Sequence, residues 1–403
     1  MTRRLFAALT ALALAASLTA CQRAPAAPEE PAAPEEVSPS SSSSQEAEEE
    51  EGSSPLLSVR EYSLPSGCGC TALFGDRAML INGSLGYYGV EPGKGNMMEM
   101  DLSSGKIHEL GIWADRGMVR ADGDTFYWVG MDEEPRYLGG GGFPQYEYVQ
   151  AGIFKGDRDG NGALVYKLSS WEDGQGKWNI TQLAMGDSVL VWAESWKFKD
   201  GGQGPSYHQR IQAVDLKTGE ISAVAEWDAY DENYHQMRVD GDSLVYWESC
   251  RNEETSLHLY DLSAEEELLV LPVTATSDAD CSGDRLVWCQ WNVPILHIYD
   301  MASGKSVSWE IPDIEGEIKL LGERYLLYVT NHIVVNNLMM QMFDLDAGED
   351  ISGWAVDSRK ERGKPRQRND PVFDDTAGQA AYDTWWFEGD ELTLTVIRPL
   401  EEA

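Results

Sequence analysis

The stretch GDSLVYWESC at residues 241–250 returns at residues 283–292 as GDRLVWCQWN. A chain that restates a turn and the strand after it is built from copies of one supersecondary unit, and this constrains the fold more than composition does. Related stretches recur along the chain: FGDRAML (Gly75), DGDTFYW (Gly123), MGDSVLVW (Gly186), LGERYLLY (Gly322) and AGQAAYDTW (Gly378). Each is a Gly-Asp type turn followed by an alternating aromatic and β-branched run, which reads as a hairpin turn entering a strand. A second motif follows at variable distance: MDLSSGK (Asp101), VDLKTGE (Asp215), YDLSAEE (Asp261), YDMASGK (Asp300) and FDLDAGE (Asp344). Asp and Gly suit the tight turn that joins one strand to the next.

Two turns and the segments around them make four strands per unit. Seven such units fill residues 56–403 at about 50 residues each, the period of propeller blades. The expected fold is therefore all-β, a seven-bladed β-propeller. The last unit lacks a fourth strand, whereas LSVREYS at 57–63 precedes the first unit unassigned. Pairing that N-terminal strand with ELTLTVIRP near 391–399 would close the ring without an open edge. Trp128, Trp192, Trp247 and Trp288 recur on the strands after the Gly-Asp turns. Recurrence makes them blade-packing residues, not a sugar platform.

These coupled motifs resemble those of TolB-like bacterial propellers, over residues 57–400. The resemblance implies the propeller fold and a protein that binds, assembles or catalyses on that scaffold. The Asp215–Gly219 and Asp300–Gly304 turns also resemble quinoprotein-type repeats. Those place a docking Trp soon after the turn, and here Trp113, Trp227 and Trp309 stand at inconsistent offsets. The Gly-His and Trp-Asp signatures of WD repeats are absent from the sequence.

The chain opens MTRRLFAALTALALAASLTAC. Two arginines, a short apolar run and a small-residue cleavage site read as a secretory signal, too short to remain as a membrane span. Cys21 after Leu-Thr-Ala resembles the bacterial lipobox, which implies cleavage before Cys21 and a lipid on its sulfur. Residues 1–20 are thus the expected lipoprotein signal, and 21–55 the lipidated Cys and a disordered Pro/Glu/Ser tether. That tether has no aromatic residue with which to bury a core, and as a coil it spans roughly 30 Å. The expected location is extracytoplasmic, anchored to a bacterial membrane by the lipid. The formal charge of -37 argues against nucleic acid as a partner and for a soluble, monomeric folded part.

No nucleophile-elbow, zincin, P-loop or CxxC motif is present. His258 and His297 stand three residues before the Asp of equivalent strands, so they are repeat positions. His208 and His235 lie in Tyr-His-Gln triplets, for which a shared ligand role is the functional alternative. Asp157, Asp159 and Asn161 follow the first half of a calcium loop, but position twelve is Leu168. They are candidate ligands of a structural calcium ion, and a polar hairpin turn is the alternative. No other cofactor is expected. Cys68, Cys70, Cys250, Cys281 and Cys289 are expected to be free thiols, because ring geometry separates them.

Four-stranded blades put both short turns on one face, leaving the other to long connections: Met131 to Gln150, Glu194 to Gln209, Asp228 to His235, and 359–368. The last belongs to a basic run in an acidic chain, read as a counter-charge for its own acidic loops or as an anion or partner site. Surface loops on a rigid scaffold are where function concentrates. Candidate ligand-binding residues there are Arg136, Tyr137, Tyr146, Trp196, Tyr207, His208, Tyr230, Tyr234, His235, Arg366 and Arg368. They suit an envelope protein, an extended peptide or a glycan. The expected function is a lipid-anchored binding or scaffold protein. The alternative is a glycan-acting hydrolase or lyase with carboxylates in the propeller mouth. Cys21→Ala should leave an unprocessed chain that takes up no fatty-acid label; a processed, detergent-partitioning variant would refute the anchor.

Overall fold

In the computed structural model the described residues are 57–82, 95–131, 136–137, 146–147, 150–168, 178–197, 207–229, 236–247, 254–274, 276–290, 293–311, 314–332, 337–351, 365–367, 372–374, 379–386 and 391–399. The signal, Cys21 and the tether lie outside them, as does Cys250. Among the described residues no helix is long and apolar enough to cross a membrane.

Strand β1 (Leu57–Leu64) comes first. Blade 1 is the antiparallel meander β2 (Cys68–Phe74), β3 (Arg77–Asn82), β4 (Met97–Asp101), β5 (Lys106–Glu109). Blade 2 takes β6 (Val119–Asp122) and β7 (Thr125–Met131), passes through a hairpin of β8 (Arg136–Tyr137) and β9 (Tyr146–Glu147), and adds β10 (Gln150–Gly156) and β11 (Gly162–Lys167). Blade 3 is β12 (Asn179–Met185), β13 (Val189–Lys197), β14 (Tyr207–Asp215), β15 (Ile221–Ala229). Blade 4 is β16 (Gln236–Asp240), β17 (Ser243–Trp247), β18 (Glu254–Asp261), β19 (Glu266–Thr274). Blade 5 is β20 (Thr276–Ser282), β21 (Arg285–Gln290), β22 (Val293–Asp300), β23 (Lys305–Glu310). Blade 6 is β24 (Ile314–Leu321), β25 (Tyr325–His332), β26 (Asn337–Asp344), β27 (Glu349–Asp350). The fold is an all-β propeller.

The expected count of seven blades is corrected to six, each a four-stranded meander. The remaining strands, β28 (Pro365–Gln367), β29 (Val372–Asp374), β30 (Gln379–Trp386) and β31 (Glu391–Pro399), join β1 in a five-stranded closing sheet. It is not another copy of the unit, because β28 and β29 are three-residue strands that both pair with β30. The sequence explains this: 357–370 is packed with charges and prolines flank the gap at Pro365 and Pro371, so no long alternating strand forms there. β1 fills the outer position, with Leu57 opposite Pro399 and Leu64 opposite Leu392.

Both kinds of turn lie on one face, because the residue after each Asp of the second motif donates its amide to the neighbouring Gly-Asp turn. Leu102 bonds the Asp76 carbonyl at 2.8 Å, Leu262 that of Asp242 at 2.8 Å and Met301 that of Asp284 at 2.8 Å. Within the second turn the Asp carboxylate accepts amides two and three residues on, as Asp101 does from Ser103 at 2.8 Å and Ser104 at 2.9 Å. The Ser103 hydroxyl and these amides bring the Asp101 carboxyl down to about 2. This support is present above about pH 4 and lost as pH falls through the depressed folded value.

Six hydrophobic clusters each lie between neighbouring sheets, from closing sheet against blade 1 to blade 5 against blade 6. Trp128, Trp192, Trp247 and Trp288 are all buried in them, as their recurrence required. Cys68, Cys70, Cys281 and Cys289 are buried free thiols. Polar side chains also lace neighbouring blades. The Asn96 amide pairs with both peptide groups of Ala114, at 2.9 Å each. Gln150 clamps Ile180 at 2.6 and 2.9 Å, and Gln182 clamps Met237 at 2.8 and 3.1 Å. A primary amide offers donors and an acceptor side by side, which is what an unpaired peptide edge needs.

One repeat position is strained. Four copies of the second turn end in Gly with φ between 66° and 74°, whereas Glu265 holds φ 53° in the fifth. A side chain there costs roughly 1 kcal/mol or more. Glu265→Gly should therefore raise unfolding stability by about 0.5–1 kcal/mol, read by urea denaturation; a loss of stability would show that the turn is not under strain.

Candidate functional site

Strand alternation arranges the most elaborate cluster of chemistry among the described residues, on the face of blade 3 turned toward blade 2. β13 presents Trp192, Glu194 and Trp196 on this face, and β14 presents Gln212, Arg210 and His208 directly opposite them. β15 adds Glu226 opposite Arg210 and Asp228 opposite His208. Blade 2 contributes Tyr166 from β11, and Trp178 stands just before β12.

Glu194 is wholly buried and would be costly to hold as an ion unless paired. Arg210 pairs with it, Nη2 to Oε2 at 2.6 Å and Nε to the same oxygen at 2.7 Å. The Trp192 indole donates to its other oxygen at 2.7 Å. The Arg210 guanidinium lies 4.1 Å from the Trp178 ring centre. The Tyr166 hydroxyl accepts from Arg210 and Gln212, each at 3.0 Å. Burial and the nearby Glu194 charge push Tyr166 up to about 12, so it stays a neutral phenol.

His208 ends the row. Its Nδ1 faces Asp228 Oδ1 at 2.5 Å and its Nε2 faces Glu226 Oε1 at 2.6 Å. Only the imidazolium has two donors for two carboxylates. Burial alone would lower its pKa, but the hydrogen bonds and charges of Asp228 and Glu226 outweigh this, and the net direction is upward. Glu226 and Asp228 are about half exposed, so the cluster reaches solvent at the end of the strand pair, away from the short turns.

Of the residues singled out in sequence, His208 and Trp196 are brought together as cross-strand partners. Trp196 and Tyr207 are buried strand residues, not loop anchors, and Lys197 caps the Tyr207 ring at 5.5 Å. The long connection expected from Glu194 to Gln209 narrows to 198–206. Arg136 pairs with Glu147 and Tyr137 with Tyr146 in the β8–β9 hairpin. Arg366 lies in β28 opposite Trp385. Tyr230, Tyr234, His235 and Arg368 lie outside the described residues.

Asp157, Asp159 and Asn161 form the β10–β11 turn, where Asp157 Oδ1 accepts the amides of Asp159 and Asn161 at 3.0 Å each. Among the described residues no group of three or more His, Cys, Asp or Glu is arranged to hold a metal ion. His258 stacks on Tyr246 at 4.6 Å and His297 on Trp288 at 5.1 Å, as repeat positions do. Sequence reading passed over Glu194, Arg210, Glu226 and Asp228. The available signal was His-x-Arg-x-Gln at 208–212 beside Glu-x-Asp at 226–228, complementary charges on adjoining strands.

No protein-family profile matches the chain, and no curated protein does. Solved structures do. An oligogalacturonate lyase in complex with manganese is 12% identical, with a TM-score of 0.50 over 86% of this chain and 97% of that one. An acylaminoacyl peptidase of Pyrococcus horikoshii is 13% identical, with a TM-score of 0.50 over 80% of this chain and 52% of that one. BamB from Moraxella catarrhalis is 14% identical, with a TM-score of 0.41 over 80% of this chain and 82% of that one. At such identities the likeness to the two structures with a TM-score of 0.50 is one of fold alone.

Since the folded His208 value is raised, its contribution is full below about pH 6.5 and is lost as pH rises through the folded value. Solvent screening limits it to roughly 1 kcal/mol or less. Urea midpoints between pH 6 and 9 should fall for the wild type, and His208→Gln should remove that component. Parallel curves for the two proteins would mean that His208 is not held as an imidazolium.

Proposed function

We propose that the protein is a lipid-anchored, extracytoplasmic binding or scaffold protein of the cell envelope, TolB-like in its repeats. Its long-connection face takes an extended peptide or a glycan. The observation that carries this reading is the state of the charged groups at that end of blade 3. Both ring nitrogens of His208 are engaged, Glu194 and Arg210 are locked together, and Glu226 and Asp228 accept from one imidazolium. A glycoside hydrolase pair needs one carboxyl that carries a proton while the other is ionised. Here both carboxyls are engaged by the His208 ring, so this cluster supports recognition better than acid–base turnover. The buried Trp178 and Trp196 beside it hold the cluster rigid from behind.

The segments 198–206 and 230–235 follow Lys197 and Ala229 in sequence and lie outside the described residues, and the second carries Tyr230, Tyr234 and His235. Binding of soluble cell-wall glycan fragments and of an extended-peptide library to the full chain tests the reading. The double change Tyr230→Ala with Tyr234→Ala should weaken the bound probe about tenfold or more, as loss of aromatic anchors does. Lys106→Glu with Lys305→Glu, beside the turns, should leave it unchanged. The opposite pattern would move the site to the turn face. Turnover of a glycan that is abolished by Glu226→Gln would establish a hydrolase or lyase instead.

A further inference from the structure

The seam between blades 2 and 3 contains a second feature, which shares Tyr166 and Trp192 with the charged cluster. Toward the turn face it opens into a shallow groove of about 230 Å³, smaller than a drug-sized pocket and with room for one small organic molecule. The part-buried Tyr166 and Leu216 line it, together with Tyr127, Leu190 and Trp192, which are already buried. At its margin Val165 is 44% exposed and Ile221 40% exposed. Apolar surface therefore meets water along the groove, and covering it is favourable.

The polar atoms of the lining narrow the choice of ligand. The Tyr166 hydroxyl is taken by Arg210 and Gln212, and the Trp192 indole by Glu194. The Asp215 carboxylate accepts the amides of Lys217 and Thr218. Lys155 is different. Its ammonium sits 5.3 Å from the Tyr127 ring centre, and among the described residues no carboxylate forms an ion pair with it. Arg77, Arg158, Arg210, Arg238, Arg285 and Arg324 all face carboxylates. Lys155 thus borders the groove as a cation set over an aromatic face, an arrangement that Lys197 repeats over Tyr207 away from the groove.

We propose that this groove binds a small organic carboxylic acid with an apolar body, its carboxylate on Lys155 and its body against Val165, Tyr166 and Ile221. The walls supply the affinity: each buried methylene multiplies it by about four. Lys155 supplies the selection for an anion, worth up to about fivefold for a pair at the surface. The net charge of -37 opposes an anion at long range, and an ionic strength of about 0.15 M screens that field beyond about 8 Å.

The test is calorimetric titration of the full chain at that ionic strength with 4-phenylbutyrate and with its neutral counterpart 4-phenylbutanol. Phenylbutyrate should bind about fivefold more tightly than the alcohol. Lys155→Gln should erase the difference and leave the alcohol unchanged. Val165→Asp, at an exposed margin that leaves the core intact, should weaken both about fivefold or more. The proposal is overturned if neither compound binds saturably to the wild type, if the preference survives in Lys155→Gln, or if Val165→Asp changes neither affinity.

Discussion

Every blade of this ring ends inward on a strand whose outer neighbour is its own second strand and whose other edge has no strand partner. The peptide groups along that edge must be satisfied, since each buried group left unpaired costs about 1–3 kcal/mol. Gln150 and Gln182 meet the demand with amides that pair donor and acceptor at once on the next blade. Between blades 5 and 6 carboxylates do it: Asp278 takes the Ile318 amide at 2.8 Å and Asp280 the Leu320 amide at 2.7 Å. Carboxylates only accept, and they bring charge into a buried place. Arg238 and Lys319 answer that charge at 3.3 and 3.0 Å. Burial still pushes Asp278 upward, against the pull of Arg238 and the amides.

The same accounting explains why blade 3 carries its charged row. A single buried carboxylate such as Glu194 is tolerated because Arg210 and the Trp192 indole saturate it. Removing one partner of such a pair costs more than the pair contributes, about 3–5 kcal/mol. Arg210 is in turn held flat by Trp178 and tied to Tyr166 of blade 2. The row is therefore rigid where it is buried and meets water most at Glu226 and Asp228. A rigid base with a polar exit suits recognition, because little ordering remains to be done when a ligand arrives.

The turns and strands were legible because they depend on neighbours in sequence. Gly-Asp turns, Asp-anchored turns and alternating aromatic runs appear in the structure where the repeats put them, and Trp192 and Trp247 are fully buried as repeat positions should be. The closing sheet was half legible. The pairing of 57–63 with the last strand follows from the need to cover an edge, but the split of its innermost position between β28 and β29 does not. A run of charges and prolines shows where a strand fails, not what takes its place.

Glu194 shows the other limit. As a charged residue after VLVWA it reads as the start of a loop, yet β13 continues through it to Lys197. What keeps the strand going is Arg210 opposite it, sixteen residues further on and invisible to local pattern. His208 likewise was noticed for its triplet, whereas its meaning comes from Asp228 and Glu226 on the adjoining strand. Sequence by itself determined the repeating unit, its turns and its buried aromatics, because period-two alternation and turn chemistry act over a few residues. Tertiary structure decided which charges meet and how the ring closes, because those depend on pairings between strands that the chain brings together only on folding.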